Sequence, residues 1–204
     1  MDLTRFDEEI EKLIHYPIPT RGTHPFVLLY GSSTFTFWGH ERSQRDLAPF
    51  IICNHGFGGS TSADALYHFD TLVRPIPFDI LALYEGDNDQ VEGFSADAVE
   101  HHFEKMIRLS KHLRPHCKIV VVGVKPSPAR VHLDAIRSVY NARLEAITRR
   151  MEGVIYVSLD PIILGTDGQP DATLFLDDQL HLNERGYERL AQWLKATFNH
   201  ALVD

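Results

Sequence analysis

Cysteine is scarce in this chain, and the two that occur form no metal-binding pattern. Cys53 and Cys117 are the only cysteines among 204 residues, and each lies in or beside an apolar run. Zinc sites need cysteines or histidines at short, regular spacings, which are missing here. We therefore expect two buried free thiols, no metal and no cofactor.

Long apolar runs and clusters of positive charge are also absent. No window approaches the roughly 18 apolar residues of a membrane span. The charged segment 1–16 has no apolar core of signal-peptide length, so we expect a cytoplasmic protein. The net charge is −8 and no Lys/Arg cluster stands out, which argues against nucleic acid as a partner.

Short apolar runs alternate with amphipathic helical segments along the whole chain. This pattern is typical of βαβ units and a parallel sheet. The predicted strands cover residues 26–30, 50–53, 78–84, 118–124 and 154–158. Right-handed crossovers then predict a three-layer α/β/α sandwich. Because no linker or repeat interrupts the pattern, we expect one domain over residues 1–204.

The first predicted strand ends at two serines. Residues 26–30 are apolar without a break, which indicates a strand buried on both faces, and Gly31, Ser32 and Ser33 follow. Open α/β sheets bind ligands at the carboxyl ends of their strands, so Ser33 is a candidate nucleophile. Turns are rich in Gly and Ser for local reasons as well, so an ordinary turn is the alternative.

The turns that contain the candidate functional residues all follow strands directly, so a parallel sheet brings them to one edge. They cover residues 31–33, 54–61, 85–89 and 125–127. The connections at the opposite edge contain no glycine-rich turn. The segment 36–47, which is largely polar and contains Trp38, is expected to form a loop or broken helix beside this edge.

Two of these turns, together with Ser33, offer hydrogen-bond donors for an oxyanion. Gly59 can present its backbone N–H at close range, Asn88 its side-chain amide and Ser33 its own N–H. The glycines could instead cradle phosphate, although neither G-x-x-x-x-G-K-[ST] nor G-x-G-x-x-G is present. Asn88 could also be a simple turn residue.

Near the C-terminus, Asp178 precedes His181 by three residues. Serine needs a base to remove its proton, and histidine is the usual one near neutral pH. A carboxylate three residues back can fold over to accept the Nδ1 hydrogen and support the imidazolium. Asp177 is the competitor for the acid, and a capped turn with a partly buried histidine is the structural alternative.

These blocks, in this order, resemble those of the SGNH (GDSL-type) hydrolases over residues 27–187. They are Gly-Ser-Ser at 31–33, Asn-His-Gly-Phe-Gly-Gly at 54–59, Gly-Asp-Asn-Asp at 86–89 and Asp-Gln-Leu-His at 178–181. The resemblance places Ser33 at the nucleophile position, and Gly59 and Asn88 at the oxyanion positions. Ser32 replaces the usual aspartate, and Gln179 stands where glycine is common.

The resemblance implies strand order 2-1-3-4-5 and metal-free ester hydrolysis through an acyl-enzyme on Ser33. Small-molecule substrates of that family include short-chain acyl, lysophospholipid-like and acetylated-sugar esters. Near the edge, Trp38, Phe57 and Lys125 are expected to shape the substrate pocket, with simple packing as the alternative for the two aromatic residues.

A non-catalytic module that binds an acylated or sugar ligand on the same fold is the alternative function, and only Ser32 supports it. A phosphoesterase or nuclease would need metal ligands or a basic patch, which the sequence lacks. The sequence does not specify the oligomeric state.

Overall fold

A five-stranded parallel sheet forms the centre of the protein in the computed structural model, which describes residues 4–203. The strands are β1 (Phe26–Gly31), β2 (Ile51–Gly56), β3 (Ile80–Tyr84), β4 (Lys118–Val122) and β5 (Val154–Val157). They pair in the order β2-β1-β3-β4-β5, and every neighbouring pair is parallel. The predicted sandwich and strand order are confirmed; residues 1–3 and 204 of the predicted domain lie outside the described residues.

Helices cover both faces of this sheet. They are α1 (Asp7–His15), α2 (Ser33–Trp38), α3 (His40–Asp46), α4 (Ser62–Tyr67), α5 (Phe69–Leu72), α6 (Asp87–Glu92), α7 (Ala96–Leu113), α8 (Asp134–Thr148), α9 (Asp160–Ile163) and α10 (Glu184–Val203). Short 3₁₀ helices span Pro128–Leu133 and Ala172–Leu174. One apolar core lies under α1, α4, α5, α7 and α8, and a second lies under α2, α9 and α10. No helix within residues 4–203 has the length and apolarity to cross a membrane.

Strand β1 lies between β2 and β3 and fixes where the first serine turn emerges. All six of its residues are buried, as expected for a parallel strand covered on both faces. Gly31 ends the strand with φ +149°, and a Cβ there would collide with the carbonyl oxygen of Tyr84 on β3. Only glycine therefore lets β1 and β3 approach closely at the point where Ser32 and Ser33 leave the sheet.

Gly31→Ala should lower the free energy of unfolding by about 3 kcal/mol or more, because overpacking adds to backbone strain. Gly93→Ala is the matched control: Gly93 also has positive φ, +76°, but nothing lies within 4 Å of an added Cβ. It should lose only about 1–2 kcal/mol. Urea unfolding measures both values, and equal losses in the two variants would contradict the close approach of β1 and β3.

The structure corrects one local expectation and decides between the two alternatives of another. Strand β2 continues through Gly56, so residues 54–56 of the predicted turn belong to the sheet. The reason is the parallel register, which pairs β1 with β2 as far as Gly31 and Gly56. The predicted loop or broken helix over 36–47 is two short helices, α2 and α3, separated at Gly39 with φ +69°.

Candidate active site

Ser33 is the first residue of α2, directly beyond the carboxyl end of β1. Ser32 precedes it in extended conformation, and the Ser32 carbonyl accepts from the N–H of Phe35 at 2.9 Å. The Ser33 side chain is partly exposed. Neither its hydroxyl nor its backbone N–H is hydrogen-bonded to another residue within 4–203. Both groups are therefore available to a bound molecule.

The neighbouring Ser32 hydroxyl lies in a different environment. Its side chain is 1% exposed, and its Oγ accepts a hydrogen bond from Asn88 Nδ2 at 2.9 Å. A hydroxyl that is buried and already engaged cannot meet a substrate without rearrangement. Of the two adjacent serines, Ser33 is the one that solvent reaches.

His181 and Asp178 form a hydrogen-bonded pair. His181 Nδ1 lies 2.6 Å from Asp178 Oδ2, and Asp178 Oδ1 accepts from the backbone N–H groups of Leu180 and His181, each at 2.9 Å. Although burial favours the neutral carboxyl, these hydrogen bonds lower the pKa of Asp178 to about 2. Because a carboxylate only accepts, Nδ1 carries the hydrogen, and Nε2 of the neutral ring is left as a free acceptor.

Phe37 brings the histidine ring to the helix that begins with Ser33. The rings of Phe37 and His181 stack with centroids 4.1 Å apart and an interplanar angle of 11°. Residues four apart lie on the same face of a helix, so Phe37 and Ser33 are neighbours on α2. His181 therefore lies against the face of α2 that carries Ser33. The two catalytic candidates are not hydrogen-bonded to each other in this conformation.

Phe37→Ala should lower kcat about two- to tenfold, because a stacked aromatic pair contributes about 0.5–1.5 kcal/mol. Tyr16→Ala is the matched control, since Tyr16 stacks on another histidine, His40, at 3.6 Å and 10°. Steady-state hydrolysis of an ester, the reaction that the family resemblance implies, measures both variants. If Tyr16→Ala is as slow as Phe37→Ala, the stack on His181 has no specific role.

Asn88 lies in the first turn of α6 with its side-chain amide held on both sides. Nδ2 donates to Ser32 Oγ and to the carbonyl of Ser60, each at 2.9 Å, and Oδ1 accepts from Arg130 Nη2 at 3.2 Å. Its hydrogen-bonding directions are therefore fixed. The amide lies directly behind Ser32, the first serine after β1.

The glycine turn after β2 lies on the other side of Ser33. A Cβ built on Gly58 would lie 3.9 Å from the Cβ of Ser33. Gly59 is exposed, has φ +84° and donates its N–H to none of the residues that the structure describes. The structure thus brings the glycine turn and the Asn88 amide to the same serine turn.

Two acidic residues that hold the site, Glu9 and Glu85, were assigned no role from the sequence. Glu9 of α1 accepts from the N–H of Gly58 at 3.1 Å. Glu85 is buried and accepts from the Ser60 hydroxyl at 2.6 Å, and burial next to Asp89 raises its pKa well above the usual range. Glu85 could have been noticed as a charged residue directly after a buried strand, whereas Glu9 lies in a helix distant in sequence and gave no signal.

Trp38, Phe57 and Lys125 lie in the interior, which corrects the expectation that they shape the substrate pocket. Trp38 and Phe57 belong to the two apolar cores and are at most 1% exposed. Lys125 is 2% exposed and pairs with Asp87 at 2.8 Å. Their side chains offer no surface to a substrate in this structure, so packing explains the aromatic residues and ion pairing explains Lys125.

Comparison with known proteins gives the family. Residues 20–189 match the model of the GDSL-like lipase/acylhydrolase family. The chain belongs to this family. Helix α1, which supplies Glu9, lies outside the matched region.

Among curated proteins, platelet-activating factor acetylhydrolase IB subunit alpha2 of Rattus norvegicus is similar to this chain. The two are 22% identical over 198 residues, which cover 94% of this chain and 83% of the relative. Among solved structures, a protein from Bacteroides fragilis described as an acylhydrolase has a TM-score of 0.80 at 19% identity, with 99% of each chain covered. A GDSL-like lipase from Bacteroides thetaiotaomicron gives 0.77 at 19% identity, covering 98% of this chain and 100% of that one. These structures share the fold of this GDSL-family chain.

Proposed function

We propose that this GDSL-family protein is a serine esterase that hydrolyses carboxylic esters through an acyl-enzyme on Ser33. The observation that carries the proposal is the stack of His181 on Phe37, one helical turn from Ser33, with Asp178 bonded to the far side of the imidazole. The free Nε2 acceptor and the exposed hydroxyl then share one face of α2. The reaction requires Ser33 Oγ and His181 Nε2 to become hydrogen-bonded to each other.

In the first half of the reaction, His181 Nε2 takes the proton from Ser33 Oγ as the oxygen attacks the ester carbonyl. Asp178 keeps Nδ1 protonated and stabilises the imidazolium. The imidazolium then donates its proton to the leaving alcohol as the carbon–oxygen bond breaks. This leaves an acyl group on Ser33 and a neutral histidine.

Three donors would stabilise the oxyanion: Asn88 Nδ2 and the N–H groups of Ser33 and Gly59, which donate to no residue within 4–203. The amide is already bonded to Ser32 Oγ, so the oxyanion must replace that hydroxyl as acceptor. A charged acceptor forms a stronger hydrogen bond than a neutral one, which favours the exchange. The same donors serve again when water, deprotonated by His181, attacks the acyl-enzyme.

The proposed substrates are small esters with short acyl groups, with lysophospholipid-like and acetylated-sugar esters as candidates for the alcohol part. The similarity to a protein named as an acetylhydrolase supports the acetyl group. Phe37 and Leu176, which are 52% and 40% exposed, offer apolar surface beside His181. A panel of p-nitrophenyl acetate, butyrate, octanoate and laurate tests this, and kcat/KM should decrease along the series.

A non-catalytic binding module remains the second candidate, favoured by the absence of a hydrogen bond between Ser33 and His181 within the described chain. The same panel separates the two functions. A binding module would hydrolyse no ester faster than the Ser33→Ala variant does, whereas an esterase would exceed that variant on at least the acetate.

A further inference from the structure

A buried ion-pair network lies directly behind Asn88. Asp87 is 5% exposed at its side chain and pairs with Lys125 Nζ at 2.8 Å and with Arg130 Nη1 at 2.6 Å. Gln90 Nε2 adds a hydrogen bond to the same carboxylate at 3.0 Å. Removing three charges from water is costly unless they are paired and hydrogen-bonded, as they are here. The network therefore holds the Arg130 guanidinium in one place.

From that position, Arg130 reaches the Asn88 amide. Its Nη1 also donates to the backbone carbonyl of Asp87 at 2.6 Å, and its Nη2 donates to Asn88 Oδ1 at 3.2 Å. A planar guanidinium with several donors can hold a carboxylate and a neighbouring amide at once, which a lysine ammonium cannot match in geometry. Arg130 thus donates hydrogen bonds both to the backbone carbonyl before Asn88 and to the side-chain oxygen of Asn88.

We propose that Arg130 is a positioning residue that orients and polarises the Asn88 amide as an oxyanion donor. This inference rests on the proposed esterase function. During reaction, Nδ2 must exchange the Ser32 hydroxyl for the oxyanion without the amide rotating away. A cationic donor fixed on Oδ1 prevents rotation and draws electron density towards the oxygen, which makes the Nδ2 hydrogens stronger donors. The benefit is largest when the acceptor is charged, that is, in the transition state.

The segment that carries Arg130 also touches the histidine side of the site. In the 3₁₀ helix Pro128–Leu133, Ala129 donates its N–H to the carbonyl of Gln179 at 3.0 Å. Gln179 lies between Asp178 and His181 and has φ +56°, a conformation uncommon outside glycine. The backbone around Arg130 is therefore held in place by contacts with the Asn88 side of the proposed site and with the Asp178–His181 side.

Kinetics of Arg130→Ala test the inference. We expect kcat for p-nitrophenyl acetate to fall about 10- to 100-fold, while KM changes less than about twofold. Loss of an oxyanion donor itself lowers kcat by roughly 100- to 1,000-fold, so the effect of Arg130→Ala should be smaller. Arg130→Lys, which keeps the charge beside Asp87, should lie between wild type and Arg130→Ala. Arg137→Ala is the matched control, because Arg137 is likewise a largely buried arginine in an ion-pair network, formed with Asp134 and Asp160. It should lower the melting temperature without a comparable loss of kcat.

A double-mutant cycle separates positioning from a general effect on the fold. In the Asn88→Ala background, Arg130→Ala should change kcat less than about threefold, because its target is gone. An undiminished loss in that background, or a rise in KM at constant kcat in the single variant, would overturn the inference.

The side-chain amide resonances of Asn88, assigned by their loss in Asn88→Ala, give a readout independent of turnover. They should shift in Arg130→Ala and stay in place in Arg137→Ala. Unchanged resonances in Arg130→Ala would refute the positioning role even if the enzyme is active. Conversely, wild-type turnover no faster than that of Ser33→Ala would refute the esterase proposal, while the resonances still report whether Arg130 orients the amide.

Discussion

Replacing Ser33 with alanine should lower kcat for p-nitrophenyl acetate roughly 10,000- to 1,000,000-fold, the range found when the nucleophile of a serine hydrolase is removed. The physical reason is that, among residues 4–203, Ser33 combines a partly exposed hydroxyl, a backbone N–H with no partner there and a place on the helix face that carries the histidine stack. Initial rates at saturating substrate measure the loss. The fold should be unaffected, because the Ser33 hydroxyl makes no hydrogen bond within the described part of the chain.

Ser32→Ala is the matched control for this experiment. The Ser32 hydroxyl is buried and accepts from Asn88, so its removal leaves one amide hydrogen without its resting partner. We expect a loss of activity of less than about 100-fold, because no bond-making atom is removed. If Ser32→Ala abolishes turnover and Ser33→Ala does not, the nucleophile has been assigned to the wrong serine.

His181→Ala should cause a loss in the same range of roughly 10,000- to 1,000,000-fold, because nucleophile and base act as one unit. Only a neutral imidazole can take the proton from Ser33, so kcat/KM of the wild type should fall as the pH is lowered from about 8 to 5. The pKa of Asp178, about 2, lies below its ordinary value, so Asp178 stays ionised through this range and does not contribute to the fall. A pH-rate profile measured under substrate-limiting conditions checks the direction.

Asp89 offers a competing explanation for an acid limb, that is, for a fall in kcat/KM at low pH. Burial raises the pKa of this residue, which lies beside Asn88, to about 6. Asp89→Asn removes that titration. The acid limb should persist in this variant if His181 is the base. A profile that becomes flat while activity is retained would assign the limb to Asp89 instead.

The sequence alone predicted the features that depend on local pattern. Unbroken apolar runs gave all five strands, and the parallel arrangement then placed Ser33, Gly59 and Asn88 at one edge. The contact of Asp178 with His181 could also be anticipated, because it spans three residues within one turn of chain. The end of β2 was placed too early, at residue 53 instead of Gly56, because a strand end depends on which residues of the neighbouring strand are available for pairing.

The sequence could not predict contacts between segments that are distant along the chain and share no motif. Arg130 approaches Asn88 only because the 3₁₀ helix after β4 folds back over α6. Glu9 meets the glycine turn only because α1 packs beside it. Phe37 gave no signal either, since an aromatic residue in a short helix is usually part of a core. Lys125 was misjudged because its burial depends on Asp87, whose role is visible only in three dimensions.

The most direct test of the account is to treat the protein with a fluorophosphonate and locate the adduct by peptide mass spectrometry. The account predicts one adduct, on Ser33, that forms in the wild type and in Ser32→Ala but is lost in Ser33→Ala and greatly slowed in His181→Ala. An adduct on Ser32, or an unmodified protein under conditions that label a known serine esterase, would contradict it.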